Sequence, residues 1–148
     1  MALATSGRGV HNITTTGAKH FSMGTEIIMP GKEIPLHRHM HSEEVVVVQQ
    51  GSVEAILNDK HQVIGQGGMA YAPPDTWMSF KNIFEIPATV LWIFSTPGFE
   101  EYVRETSVKK GEAVIPFTPD ELTHVRKRYL QLIELSAPFD VNYPSDID

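Results

Sequence analysis

The residues of this sequence that are best suited to metal binding or catalysis are two histidines and a glutamate, His37, His39 and Glu44. On a β-strand, residues two apart project from the same face, so His37 and His39 would present a pair of imidazoles. If the chain turns at 40–43 and returns antiparallel, Glu44 faces the same point. Two imidazoles and one carboxylate suit a divalent transition metal, as in hydrolytic zinc sites and non-haem iron sites. The 148-residue chain contains no cysteine, which excludes thiolate ligands and disulfides.

Short β-rich segments separated by turn residues must position this cluster. The pattern predicts an all-β sandwich or barrel, not alternating βαβ units. The predicted strands cover residues 25–29, 44–50, 52–57, 61–64, 69–72 and 88–95. Asn58 and Asp59, which lie between two of them, predict a two-residue hairpin turn. The four valines at 45–48 lack polar alternation, which indicates either a strand buried on both faces or one unusually apolar strand with an exposed valine.

Helical signals follow the β region. Residues 97–105 predict a short helix, and a stronger one begins at Thr118, where Pro119 suits the first helical position and Glu121 completes a capping box. Apolar residues then recur at helical spacing and predict one face that packs on the barrel: Leu122, Val125, Tyr129, Leu132 and Ile133. The predicted organisation is an N-terminal arm over 1–18, a barrel over 19–96, a helical segment over 97–136 and a tail over 137–148.

The spacing around the histidines is similar to the first motif of the cupin superfamily. That motif is Gly, five residues, His-x-His, three or four residues, Glu, six residues, Gly. Five residues fit it without a gap: Gly31, His37, His39, Glu44 and Gly51.

A second segment resembles the other cupin motif and departs from it at two positions. Gly67, Pro73 and Asn82 match in register. Asp75 replaces a glycine, and Met78 stands where the family has a fourth metal ligand, a histidine. The departure puts the completeness of the metal site in question, because a thioether is a weak donor that suits copper better than iron, manganese or zinc.

The resemblance implies a double-stranded β-helix (cupin or jelly-roll) barrel with a C-terminal helix, similar to quercetinase-like single-domain cupins. It also implies that His37, His39 and Glu44 bind a divalent transition metal, namely Fe, Mn, Ni, Cu or Zn. Three arrangements are open: a three-ligand centre, a centre with a fourth protein ligand, or a lost metal site that leaves an apolar pocket. The candidates for a fourth ligand are His20, His41, His61 and, for copper, Met78.

Such a centre predicts an enzyme that acts on a small molecule. The resemblance implies a dioxygenase-like activity on an oxygen-chelating substrate, with Glu44 as metal ligand or catalytic base. The alternatives are a metal-dependent or metal-free isomerase or cyclase, and a non-enzymatic ligand-binding cupin. Met78, Tyr71 and Trp92 are the predicted pocket residues, since ligand pockets are mostly apolar. The resemblance further implies a homodimer.

Composition narrows the classes of partner. The net charge of −6 argues against nucleic-acid binding, which needs a basic surface, and it disfavours docking on anionic membranes. The longest apolar runs, 45–48 and 90–94, are too short to cross a bilayer. Residues 1–12 show no secretory signal. We therefore expect a cytoplasmic protein whose partner is a small molecule.

Overall fold

The structure is a computed structural model that describes residues 9–11, 19–106 and 117–135. These residues form ten β-strands and two α-helices. The strands are β1 (Gly9–His11), β2 (Ser22–Ile28), β3 (Glu33–Arg38), β4 (Glu44–Gln50), β5 (Ser52–Leu57), β6 (Lys60–Gly65), β7 (Met69–Ala72), β8 (Met78–Lys81), β9 (Ala88–Phe94) and β10 (Glu134–Leu135), and the helices are α1 (Phe99–Thr106) and α2 (Pro119–Tyr129). Neither helix is long and apolar enough to span a membrane.

The strands form two five-stranded sheets that enclose one apolar core. The first sheet has the order β1-β2-β9-β4-β7 and the second the order β10-β3-β8-β5-β6, with antiparallel pairing throughout. Buried residues alternate with half-buried ones along β2 and β9, so each of these strands turns one face to the interior. Both sheets contribute to the core, which includes Ile28, Val46, Val53, Phe80 and Val90. The all-β prediction is confirmed.

The valine run forms the middle of β4, between β9 and β7. Val46 and Val48 are buried in the core, whereas Val45 and Val47 point outward and are half-buried. Among the described residues, the valine run of β4 is thus fully buried on one face and half-buried on the other, and neither Val45 nor Val47 is exposed.

Two turn and capping predictions are confirmed. Asn58 joins β5 to β6 with a φ of 50°, a left-handed conformation that asparagine tolerates better than most residues. At the start of α2, the Glu121 backbone N–H donates to the Thr118 hydroxyl and the Glu121 side chain accepts from the Thr118 backbone N–H. This reciprocal capping fixes where the helix begins.

The helix does not extend as far as the apolar spacing predicts. It ends at Tyr129, whose carbonyl accepts hydrogen bonds from the backbone N–H groups of Leu132 and Ile133. The chain then continues into β10, which pairs with β3. Ile133 is buried, but it lies in the segment between the helix and β10 and not on the face of the helix.

The helices and β10 pack into a small cluster of their own, which we call the cap and define as residues 99–106 and 117–135. Its centre is formed by Tyr102, Val125 and Ile133. Phe99 packs against both this cluster and the barrel core, so it joins the two. The predicted tail, 137–148, lies outside the described residues, and of the predicted arm, 1–18, only β1 is described. The predicted domain limits stay predictions.

Candidate metal centre

Three side chains from both walls of the barrel converge in its interior. His37 lies near the end of β3, His39 follows that strand, and Glu44 is the first residue of β4. Because β3 and β4 belong to different sheets, Glu44 meets the histidines from the opposite wall and not across a hairpin. The three residues are at most 4% exposed, and their potential ligand atoms all lie within 4.8 Å of one another. A Glu44 carboxylate oxygen, Oε2, is 3.4 Å from His39 Nε2 and 3.9 Å from His37 Nε2.

A break in the β3–β8 ladder helps to orient His37. The register shifts between Ile34 and His37, and Pro35 lies inside this irregular stretch. Proline has no backbone N–H to donate to a ladder, so it is compatible with such a break. The Pro35 carbonyl oxygen lies 2.6 Å from His37 Nδ1. Since a carbonyl only accepts hydrogen bonds, Nδ1 carries the proton and Nε2 is left with a free electron pair.

His39 is oriented in the same way by the cap. Its Nδ1 lies 2.9 Å from the carbonyl oxygen of Leu132, so Nδ1 again donates and Nε2 is left with a free electron pair, 3.4 Å from Glu44 Oε2. Histidines that ligate metals usually donate their other ring nitrogen to a carbonyl or carboxylate in this manner. Both imidazoles thus hold the tautomer that a metal ligand requires.

The buried polar atoms test whether a metal fits. His39 Nε2 and Glu44 Oε2 are buried and have no hydrogen-bond partner among the described residues. Leaving such atoms unsatisfied costs about 1–3 kcal/mol each, and more for a charged group. A divalent cation placed between them would satisfy both, so the donor set fits a metal ion.

The protonation state of His39 agrees with this role. The pKa of His39 is lowered from 6.5 to about 4, chiefly because burial disfavours the charged form; the neighbouring His37 also lowers it, while Glu44 and the bond to Leu132 oppose the shift. His39 is therefore neutral at neutral pH, and a neutral imidazole is the form that binds metals.

A small cavity adjoins the cluster at His37 and Glu44. Its volume of about 30 Å³ has room for a bound ion with one or two water molecules. Its walls are largely apolar and are formed by Glu26, Ile34, Pro35, His37, Glu44, Trp92, Phe94, Phe99, Tyr102, Ile133 and Leu135. Glu26 is the one carboxylate among these lining residues besides Glu44.

The predicted pocket residues have different locations. Trp92 lines the cavity. Met78 does not: it is buried in the barrel core on β8, where its backbone pairs with that of His37. Tyr71 does not line it either, because it alternates along β7 with the inward-facing Ala70 and Ala72. Its side chain is 52% exposed and donates a hydrogen bond to Glu43.

None of the histidines considered as a fourth ligand joins the cluster in the described part of the chain. His20 and His41 are exposed, as is His61, which lies 3.6 Å from Glu54 on the outside of the barrel. Their distance from the cavity follows from their elements, since β6 is an exposed edge strand and His41 lies in the loop between β3 and β4. The prediction of a fourth histidine ligand is wrong for these three.

Sequence reasoning missed several residues of the site. Glu26 could have been found, because it follows Ser22 and Gly24 at the period-two spacing of the inward face of β2. The Leu132 carbonyl carries no sequence signal, since any residue has one and it lies 93 residues beyond His39.

Comparison with known proteins agrees with this geometry. Residues 24–94 match the cupin domain family model. The chain is 33% identical to protein SchB of Streptomyces halstedii over 79 residues, which are 53% of this chain and 57% of that protein. It thus spans little more than half the length of this relative.

Two solved structures show the same fold. A sugar phosphate isomerase of the cupin superfamily from Silicibacter pomeroyi superposes with a TM-score of 0.53 and 26% identity, over 60% of this chain and 59% of that one. An oxalate decarboxylase from Lactobacillus farciminis, crystallised with formate, gives a TM-score of 0.56 and 23% identity, over 62% and 29% of the two chains. The fold is the double-stranded β-helix, and residues 24–94 form a cupin domain, as the motifs predict.

Proposed function

We propose that this cupin is a metal-dependent enzyme whose His37–His39–Glu44 centre acts on a small oxygen-chelating molecule. The main observation behind the proposal is that both imidazole rings are held in orientations that suit metal binding. Two backbone carbonyls hold both Nδ1 protons, so that both Nε2 atoms turn toward one oxygen of Glu44. A structural role alone would not require two buried ligand atoms to remain without hydrogen bonds.

The three ligands leave coordination positions for a substrate. A divalent metal bound here supplies Lewis acidity and, if it is redox-active, the capacity to exchange electrons. The Glu44 oxygen that is not bound to the metal would serve as a base toward a substrate in the cavity. Trp92, Phe94 and Phe99 form apolar walls that exclude water from the reacting atoms.

The lining restricts the substrate class. No lysine or arginine is present among the described residues that line the cavity. A phosphate group would therefore find no cationic partner in the protein itself. The small volume also disfavours bulky ligands while the cap is closed. We infer a compact, non-phosphorylated substrate with two oxygen donors, and we favour a dioxygenase-like reaction on it.

An oxygen-independent isomerase or cyclase is the second candidate. It is supported by the likeness to the sugar phosphate isomerase, which is 26% identical. The absence of cationic lining residues argues against a phosphorylated sugar as the substrate in this cavity. A binding protein without turnover is the third candidate, and metal-free acid–base catalysis by a histidine is a variant of the second.

Elemental analysis of the untagged protein, purified without chelators, tests the proposal. The matched variants are His39→Ala, which removes a ligand, and His41→Ala, which removes an exposed histidine of the adjoining loop. We expect about one metal per chain in the wild type and in His41→Ala, and a loss of the metal in His39→Ala. A wild-type protein that takes up no Fe²⁺, Mn²⁺, Ni²⁺, Cu²⁺ or Zn²⁺ would contradict the proposal.

Oxygen consumption then separates the reaction classes. Catechol-type and β-diketone-type compounds are incubated with the metal-loaded protein with and without air. Turnover that requires oxygen supports the dioxygenase, and turnover without oxygen supports the isomerase or cyclase. Saturable binding without turnover supports the binding protein.

We also propose a homodimer. Met69 and Tyr71 on the edge strand β7 are 66% and 52% exposed, which provides apolar surface for a second subunit. Light scattering coupled to size-exclusion chromatography tests this, and a monomer at micromolar concentration would contradict it. The cytoplasmic location stays a prediction.

A further inference from the structure

The metal cavity is closed by a part of the chain that lies beyond the cupin-matching residues, 24–94. Four of the eleven lining residues belong to the cap: Phe99, Tyr102, Ile133 and Leu135. The cap also supplies the Leu132 carbonyl that holds His39. The barrel therefore provides the ligands, while the cap provides one wall and one of the two orienting hydrogen bonds.

Within the cap, the two helices are tied to each other. The Glu105 carboxylate on α1 lies 2.7 Å from Arg128 Nη2 and accepts a hydrogen bond of 2.8 Å from the Tyr129 hydroxyl, both on α2. The rings of Tyr102 and Tyr129 pack edge to face with their centres 5.5 Å apart. These contacts tie the two helices to each other without a barrel residue.

Besides the packing of Phe99 against the barrel core, the cap is attached to the barrel through strand β10. Strand β10 is two residues long and pairs only with β3, at its Arg38 and His37 positions. Arg38 donates from Nε and Nη2 to one oxygen of Glu134, over 2.8 and 2.6 Å. The same guanidinium donates to Asp75 and lies 4.8 Å from the ring centre of Trp77. Arg38 is thus held by the barrel on one side and grips β10 on the other.

The Arg38–Glu134 ion pair is close in sequence to the residues of the proposed metal centre. Arg38 lies between His37 and His39, and Glu134 lies two residues after Leu132. Release of Glu134 would free β10, withdraw the Leu132 carbonyl and leave His39 Nδ1 without its acceptor. Conversely, a cation on Nε2 makes the Nδ1–H a stronger donor to that carbonyl. Docking of the cap and binding of a cation at His39 therefore favour each other.

We propose that docking of the cap and occupancy of the metal centre are thermodynamically coupled, with Arg38 and Glu134 as the positioning pair. The inference rests on the proposed metal centre and adds to it a movable wall. With all three ligands at most 4% exposed, metal and substrate need an opening to enter. The short β10 attachment is the place where the barrel opens without breaking a longer strand.

Metal affinity measured by competition with a chromophoric chelator, with Zn²⁺ as the probe, tests the coupling. The test variant is Glu134→Gln, which breaks the grip on β10. The matched control is Asp75→Asn, which removes the same charge from the same guanidinium but leaves the cap attached. We expect zinc affinity to fall about tenfold in Glu134→Gln, as for other residues that support a ligating histidine, and to stay near wild type in Asp75→Asn.

Hydrogen–deuterium exchange supplies a second readout that is independent of affinity. Coupling is reciprocal. If undocking of the cap lowers zinc affinity by a given factor, zinc should slow exchange at residues 130–135 of the wild-type protein by the same factor. In Glu134→Gln these residues should exchange faster without zinc. Arg38→Lys, which keeps the charge but loses the two-nitrogen grip, should behave like Glu134→Gln.

The outcomes separate the two proposals. A wild type that binds no zinc overturns the proposed function and the coupling with it. A wild type that binds zinc, with Glu134→Gln equally tight, overturns the coupling alone. An equal loss of zinc affinity in Asp75→Asn would show a general effect of charge and would overturn the coupling. Exchange at residues 130–135 that zinc does not change would overturn it as well.

Discussion

The indole ring of Trp92 occupies the space in which a side chain on Gly24 would begin. A Cβ added to Gly24 would lie 2.2 Å from a carbon of that ring, a distance that non-bonded atoms do not adopt. The two residues are paired across β2 and β9, and both face the interior. The absence of a side chain at position 24 therefore sets the position of an aromatic wall of the metal cavity.

We predict that Gly24→Ala displaces Trp92 and destabilises the protein. Overpacking of this kind costs about 1–3 kcal/mol. The matched control is Gly65→Ala at the end of β6, where the added Cβ would meet only Ser52 Oγ at 3.5 Å, an ordinary contact. The free energy of unfolding in urea measures both variants. Equal stability of Gly24→Ala and Gly65→Ala would show that the ring moves aside without cost.

The stability of the metal-free protein should depend on pH through His39. Its pKa is lowered to about 4 in the folded protein and is 6.5 when unperturbed. Above pH 6.5 the residue is neutral in both states and has no effect. Between pH 6.5 and pH 4 the unfolded chain takes up a proton that the folded protein does not, so stability falls as the pH falls. The full loss is on the order of 3 kcal/mol.

Urea unfolding at pH 7, 6, 5 and 4, with chelator present, measures this loss. His39→Gln is compared at each pH, which cancels the contributions of the other titrating groups. The wild type should lose more stability on acidification than the variant does. Parallel curves for the two proteins would mean that His39 is protonated without cost in the folded state.

Neighbouring glutamates provide a sharp test of the ligand assignment. Glu44 is buried in the cluster, whereas Glu43 is exposed and accepts the hydrogen bond from Tyr71. We predict that Glu44→Gln lowers zinc affinity at least tenfold and abolishes the rise in melting temperature on adding zinc. Glu43→Gln should retain both. Retention of zinc by Glu44→Gln would remove the carboxylate from the centre.

The role of Met78 is tested by placing there the histidine that the resemblance to the second cupin motif implies. Residues directly paired across a sheet project from the same face, and Met78 pairs with His37. We therefore predict that Met78→His adds a fourth ligand to the proposed centre and raises zinc affinity about tenfold or more. Met78→Leu conserves volume and should leave zinc affinity unchanged. A loss of bound copper in Met78→Leu would instead identify the thioether as a ligand.

Local patterns in the sequence predicted the barrel and the cluster of His37, His39 and Glu44, because local rules govern them. Period-two burial defines β2 and β9, the capping box starts α2, and the His-x-His spacing places two imidazoles together. What was missed depends on contacts between distant residues. The bond from His39 to the Leu132 carbonyl and the Arg38–Glu134 ion pair each join residues far apart in the chain, so no local sequence pattern predicts them. The outward position of Tyr71 depends on the register of β7.

The separation between His39 and Leu132 also has a consequence for biosynthesis. The ribosome adds His39, Glu44 and the last barrel strand before it reaches the carbonyl that orients His39, 93 residues later. At about 5–20 residues per second, that interval is about 5–20 seconds. Throughout it the nascent chain contains His39 without the carbonyl that orients it, so the proposed centre reaches its final form only after the cap has been synthesised.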